Sequence, residues 1–235
     1  MCSTLRLDQT GKQGRLRRKV KTVGLQLAAP LAVLAVVSFA AGGANAAHRH
    51  AFARGGLAGK IQYCQDCHGL RGQGFRGYYP IPRLAGQQPQ YFENQLQAFT
   101  EGRRPHPIMS VVAHTLSPAT RAALAAHFAS LNPPPIGGGP RRLVEAGRAI
   151  FQNGVPDENI AACAACHGPN AQGHGQIPRL AGQLYPYVVK ALTNWSKERG
   201  RNPAISDTSA IMSPVAHSLN RSQAKAVAAY VSTLR

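Results

Sequence analysis

Acidic side chains are scarce: nine Asp and Glu stand against 27 Lys and Arg in 235 residues, a formal charge of +18. Such a balance points first to nucleic acid. The N-terminal segment described below sends the chain out of the cytoplasm, however, which removes that class; an acidic docking partner or an anionic membrane surface suits the charge, as does a general solubility role. Alternation of apolar and polar residues over strand lengths is missing, which excludes a sheet-based fold and leaves an all-α one. After residue 46 no apolar run approaches the length of a membrane span, so residues 47–235 are expected to be soluble. Methionine occurs three times and cysteine five times. With so few, each position carries information.

Arg15, Arg17, Arg18, Lys19 and Lys21 precede an apolar run from Leu25 to Ala41, followed by small residues ending Ala44-Asn45-Ala46. A basic start, a short apolar centre and an AxA-like exit make residues 1–46 a secretory signal peptide, cleaved after Ala46. A retained membrane anchor competes, but the run is short and contains Pro30. The expected location is the periplasm, with loose membrane association as a further reading. Seven basic residues and one acidic residue leave with the signal, and the rest stays strongly positive.

Cys2 leaves with the signal as well. The remaining four cysteines form two identical patterns, Cys64-Gln65-Asp66-Cys67-His68 and Cys163-Ala164-Ala165-Cys166-His167. In an exported chain, CxxCH reads as covalent attachment of haem c, and two such motifs as two haem c groups. Cysteines three apart share one face of a helical turn, so both sulfurs reach the vinyl edge of one porphyrin while the adjacent histidine meets the iron. A disulfide framework would suit the compartment but gives no reason for a histidine after each pair. Zinc needs four ligands per site, and a thioredoxin-like pair needs a βαβ context that is absent.

The chain repeats itself. IPRLAGQ occurs at Ile81–Gln87 and again at Ile177–Gln183, each time after CxxCHG and a glycine-rich loop, and before an amphipathic segment, a methionine motif and a last helix. His68 precedes Ile81 by 13 residues and His167 precedes Ile177 by 10, a difference expected to fall in a loop. Between the copies, Asn132-Pro133-Pro134-Pro135-Ile136-Gly137-Gly138-Gly139-Pro140 reads as a linker. The expected organisation is therefore residues 47–131, a linker at 132–140, and residues 141–235. Helices are expected over Arg142 to Gly154, with Gly56 to Tyr63 as a shorter counterpart, and over Gln90 to Phe99. Tyr91, Leu96 and Phe99 there are matched by Tyr187, Leu192 and Trp195. Ser117 and Asn220 are expected to cap closing helices ending at Leu131 and Leu234.

Beyond the signal only Met109 and Met212 remain, in the matching contexts IMSVVAH and IMSPVAH. A single methionine is ordinarily a core filler. Recurrence downstream of each haem histidine instead makes both candidate axial ligands opposite His68 and His167. A thioether raises the reduction potential relative to a second imidazole, and with both axial positions filled by protein the remaining chemistry is one-electron transfer. His114 and His217 are rival ligands; His106 and His174 are unpaired loop residues given no role. For the repeated motif, Pro82 and Pro178 are candidates to accept a hydrogen bond from the ligating histidines. Arg83 and Arg179 are candidates to pair with haem propionates, and Leu84 and Leu180 to lie on the porphyrin faces. A tight turn packed on the core is the competing account.

With these residues in view the chain resembles the dihaem cytochrome c4 family, over essentially all of residues 47–235. The resemblance rests on two CxxCH motifs, P-x-L-A-G-Q after each, and one methionine per half. It implies two tandem class I cytochrome c domains, each wrapped around one haem, close across a pseudo-twofold interface. By it, Cys64, Cys67, His68 and Met109 hold one haem, and Cys163, Cys166, His167 and Met212 the other. It further implies an electron carrier, not an enzyme, between a membrane quinol-oxidising complex and a terminal oxidase. A dihaem subunit of a flavocytochrome-type dehydrogenase, for example one oxidising sulfide, is the alternative, and an open-iron catalytic or gas-sensing haem is disfavoured by the two methionines. One departure is visible: Gly59 lies five residues before Cys64, whereas Gly147 lies 16 before Cys163. That predicts a different, lower potential for the first haem.

Overall fold

A computed structural model describes residues 55–200 and 208–235; the signal segment lies outside them. Among these residues the fold is helical, with three isolated bridges and no strand. The first half holds α1 (Leu57–His68), α2 (Pro89–Thr100), α3 (Pro107–His114) and α4 (Pro118–Ala129). The second holds α5 (Val144–Asn153), α6 (Ala164–His167), α7 (Tyr185–Thr193), α8 (Trp195–Glu198), α9 (Ser209–Ser218) and α10 (Arg221–Val231).

Proline at the first turn begins α2, α3 and α4, where its fixed φ suits the helix and its missing N–H costs nothing. Ser117 caps α4 by accepting from Thr120 N, and Asn220 caps α10 in a reciprocal box with Gln223. Both caps stand where the sequence put them. The helices stop two and three residues earlier than expected, at Ala129 and Val231.

Two further expectations are corrected. Gly56 to Tyr63 is not a shorter counterpart of α5, the helix that opens the second half: α1 runs on through the whole CxxCH to His68. In the second half that path is broken, because Gly154 ends α5 and a 3-10 turn at Pro156–Glu158 intervenes before α6. Trp195 does not extend the Tyr187 and Leu192 helix either. Asn194 leaves helical geometry, and Trp195 opens the separate α8, its indole N–H donating to the Ser209 carbonyl.

Each half buries its own core. Phe92, Leu96 and Phe99 of α2 meet Leu124 and Phe128 of α4 in the first; Phe151 of α5 meets Val227, Tyr230 and Val231 of α10 in the second. Phe92 and Phe128 stack at 5.7 Å, and each fully buried side chain of this size contributes roughly 2–3 kcal/mol. α5 and α10 cross so closely that a Cβ on Gly147 would collide with the Ala226 carbonyl. The segment 132–140 is no free tether, since Pro133 is buried and its carbonyl accepts from Arg83 Nη2 at 2.9 Å.

Candidate haem sites and the seam between them

Cys64 and Cys67 lie on α1, and Cys166 lies on α6 with Cys163 at its N-cap. All four thiols are free, and in each motif the first is half-buried and the second exposed. Burial pushes Cys64 up to about 12 and Cys163 up to about 11. Among the described residues no three His, Cys, Asp or Glu side chains gather to hold a metal ion.

Both candidate ligand histidines are buried, and their Nδ1 atoms meet the expected carbonyls: His68 to Pro82 O at 2.8 Å, His167 to Pro178 O at 2.9 Å. A carbonyl only accepts, so Nδ1 carries the proton and Nε2 keeps its lone pair. Burial pushes His68 down to about 4 despite the bond to Pro82, and lowers His167 for the same reason. Near neutrality each ring is therefore a neutral imidazole with one nitrogen oriented and the other able to ligate.

Met109 sits on α3, half-buried against the first core. Met212 sits half-buried on α9, a helix that tolerates Pro214 in its interior. Leu180 packs at the edge of the second core as Leu84 does at the first. His114 is exposed and its Nδ1 is engaged by the Ser110 carbonyl; His217 is also exposed. His106 does have a role after all. It caps α3, with Nδ1 accepting from the backbone N–H of Met109 at 3.2 Å.

The repeated motif lines the seam between the halves. Gln183 Oε1 accepts from Arg83 N at 2.8 Å and its Nε2 donates to Arg83 O at 3.0 Å. The mirror pair repeats it: Gln87 Oε1 accepts from Arg179 N at 2.8 Å and its Nε2 donates to Arg179 O at 3.1 Å. Arg179 lies against Gly86, and Arg83 against Gly182. Each guanidinium turns first to its own half, Arg83 Nε to Ala85 O and Arg179 Nε to Ala181 O. One nitrogen of each stays buried with no protein partner, Arg83 Nη1 and Arg179 Nη2. Burial, then the facing charge of Arg179, lowers Arg83 to about 10. A buried and a half-buried cation that face one another with donors to spare suit an anion, and a haem propionate supplies one.

The seam continues into a polar cluster that the sequence analysis passed over. Arg104 spans it, with Nη1 on Gln95 Oε1 at 2.7 Å and Nη2 on the Tyr187 hydroxyl at 2.9 Å, its guanidinium stacked over Phe99. Burial raises the Tyr187 phenol, but Arg104 and Arg199 outweigh it and hold the group below its ordinary range. Only the seven-residue identity hinted at the seam: a polar glutamine ending a buried turn twice over has a partner to satisfy.

A family model described as cytochrome c matches residues 144–235. A cytochrome c-552 of Acidithiobacillus ferridurans is 39% identical over 73% of each chain. A cytochrome c4 of Azotobacter vinelandii is 31% identical over 75% of this chain and 86% of its own. The chain belongs to the cytochrome c4 family. A thiosulfate dehydrogenase electron acceptor of Stutzerimonas stutzeri is 30% identical over 86% and 92% of the two chains. The solved cytochrome c4 of Acidithiobacillus ferrooxidans superposes with a TM-score of 0.62, at 37% identity, over 74% of this chain and 99% of its own. The helical pair of halves is thus a tandem cytochrome c fold of the c4 kind, carrying haem c and transferring electrons to and from redox proteins. The family model stops at the second half, yet the first carries the same loop hydrogen bonds, Gly74 N to His68 O matching Gly173 N to His167 O.

Proposed function

We propose that this c4-family cytochrome binds two haem c groups and works in the periplasm as a one-electron shuttle from a quinol-oxidising complex to a terminal oxidase. Cys64 and Cys67 would hold the first porphyrin and Cys163 and Cys166 the second, with His68 and Met109, and His167 and Met212, as axial ligands. Each bound haem supplies an iron that changes charge by one electron. The protein's own part is to orient the imidazoles through Pro82 and Pro178, to present thioethers from α3 and α9, and to offer Arg83 and Arg179 to the propionates. The duplicated histidine-to-proline hydrogen bond, with its neutral buried ring, carries this reading.

Redox partners would dock on a basic, partly apolar surface. The loop after the first CxxCH exposes Leu70, Phe75, Tyr78 and Tyr79 beside Arg71 and Arg76, which suits an acidic rim on the partner. A second reading, the electron-accepting subunit of a dehydrogenase, is favoured by the similarity to the thiosulfate dehydrogenase electron acceptor. An optical redox titration of the purified protein, with haem quantified, tests the ligand set. Two haems per chain and a far-red methionine-to-iron band that Met109→Ala halves are expected. One haem per chain, or no such band, overturns it, and co-purification of a dehydrogenase with substrate-driven haem reduction would favour the second reading.

A further inference from the structure

The seam glutamines do more than glue the halves together. The peptide unit between Pro82 and Arg83 is engaged at both ends: its carbonyl oxygen receives the His68 Nδ1 proton at 2.8 Å, and its N–H donates to Gln183 Oε1 at 2.8 Å. The unit between Pro178 and Arg179 is engaged likewise, by His167 at 2.9 Å and by Gln87 at 2.8 Å. Gln87, Gln183 and Arg83 are buried; the bond from Arg83 N to Gln183 is wholly buried and the bond from Arg179 N to Gln87 partly so. Neither glutamine belongs to the half whose histidine it serves.

We infer that Gln183 tunes the first haem and Gln87 the second, each acting across the seam through one peptide unit on the other half's axial histidine. This rests on the ligand assignment proposed above. A peptide whose N–H donates is a stronger acceptor at its carbonyl, because hydrogen bonds in series polarise one another. A stronger acceptor on Nδ1 makes the imidazole a more basic ligand, which favours ferric iron and lowers the potential. Both glutamines are held in register by a second use of Oε1, Gln183 accepting from Leu184 N and Gln87 from Gln88 N. The two are positioning residues, and each half sets part of the other's potential.

The test is a redox titration of the haem-loaded Gln183→Leu protein, with the two waves assigned by a Met109→His variant that displaces the first. The first wave should rise by roughly threefold to tenfold in equilibrium constant, about 30–60 mV at 59 mV per decade, while the second moves less. Gln87→Leu should exchange the roles of the waves. Gln183→Met, apolar and close to glutamine in volume, should raise the first wave as the leucine does, which keeps the test alive if the leucine variant loads haem poorly. The 15N resonance of His68 Nδ1 in the ferrous protein should move with Gln183 and that of His167 with Gln87, a response that simple loss of packing would not sort by half. Two haems with intact methionine bands but an unmoved first wave, or a larger shift in the glutamine's own half, overturns the inference. Loss of the far-red band in the unmodified protein would instead point to failure of the ligand assignment itself.

Discussion

The two halves make the same turn with different residues where the chain folds back beneath the histidine. In the first, Gly72 takes the left-handed position, φ 63°; in the second, Ala171 takes it, φ 55°. Both carbonyls then receive two N–H groups from the following motif, Leu84 and Ala85 in one, Leu180 and Ala181 in the other. The difference follows from what lies above the turn. Phe128 fills the space in the first half, and a Cβ on Gly72 would stand 2.9 Å from its ring. Val231 receives the motif's glycine N–H at the matching place in the second half, where Phe128 does in the first, and the smaller side chain leaves room for the Ala171 methyl. A strained but filled turn and a relaxed turn under a larger ring are two solutions to one packing problem.

The halves differ also in how the CxxCH is carried. In the first it rides on α1 itself; in the second, α5 lies against α10 and a loop returns to the short α6. Gly147→Ala attacks the second arrangement, because the methyl collides with the Ala226 carbonyl and forces α5 and α10 apart. We expect a cost of about 3 kcal/mol or more, read as loss of the second haem from the purified protein while the first is retained. Equal loss from both halves would show that they do not fold as separate cores.

Gly72→Ala should cost about 2 kcal/mol in denaturant unfolding of the haem-loaded protein, through left-handed strain and pressure on Phe128 together. Ala171→Gly should stay within about 1 kcal/mol, since relief of strain offsets the buried methyl that is lost. Equal effects would remove the packing explanation. The smallest contrast lies at the methionine helices. His106 caps α3, whereas Thr208, ahead of α9, makes no side-chain cap. His106→Ala should therefore lower stability by about 1 kcal/mol and Thr208→Ala by almost nothing, measured by thermal unfolding followed by far-ultraviolet circular dichroism.

Much of the candidate site was legible because its chemistry is local. CxxCH places two sulfurs and an imidazole by helical spacing alone, and the bond from each histidine to Pro82 or Pro178 closes a loop of ordinary length. The all-α class followed from missing alternation, and Ser117 and Asn220 from the chemistry of caps. Trp195 misled because its spacing from Tyr187 and Leu192 is helical, but the chain leaves helical geometry at Asn194. Gln87 and Gln183 end the two copies of the repeated motif, yet no local feature gives them a role. Their partners lie 92 and 100 residues away.

The residues alone determined which atoms each CxxCH can offer to a haem, since cysteine and histidine spacing is set by bonds and helical turns within a short stretch of chain. Only the tertiary structure decided that the repeated turns face one another, so that each Gln completes the other half's peptide and two arginines share one buried seam. Hydrogen bonds across such a distance in sequence depend on how two separate cores pack, and no local spacing encodes that.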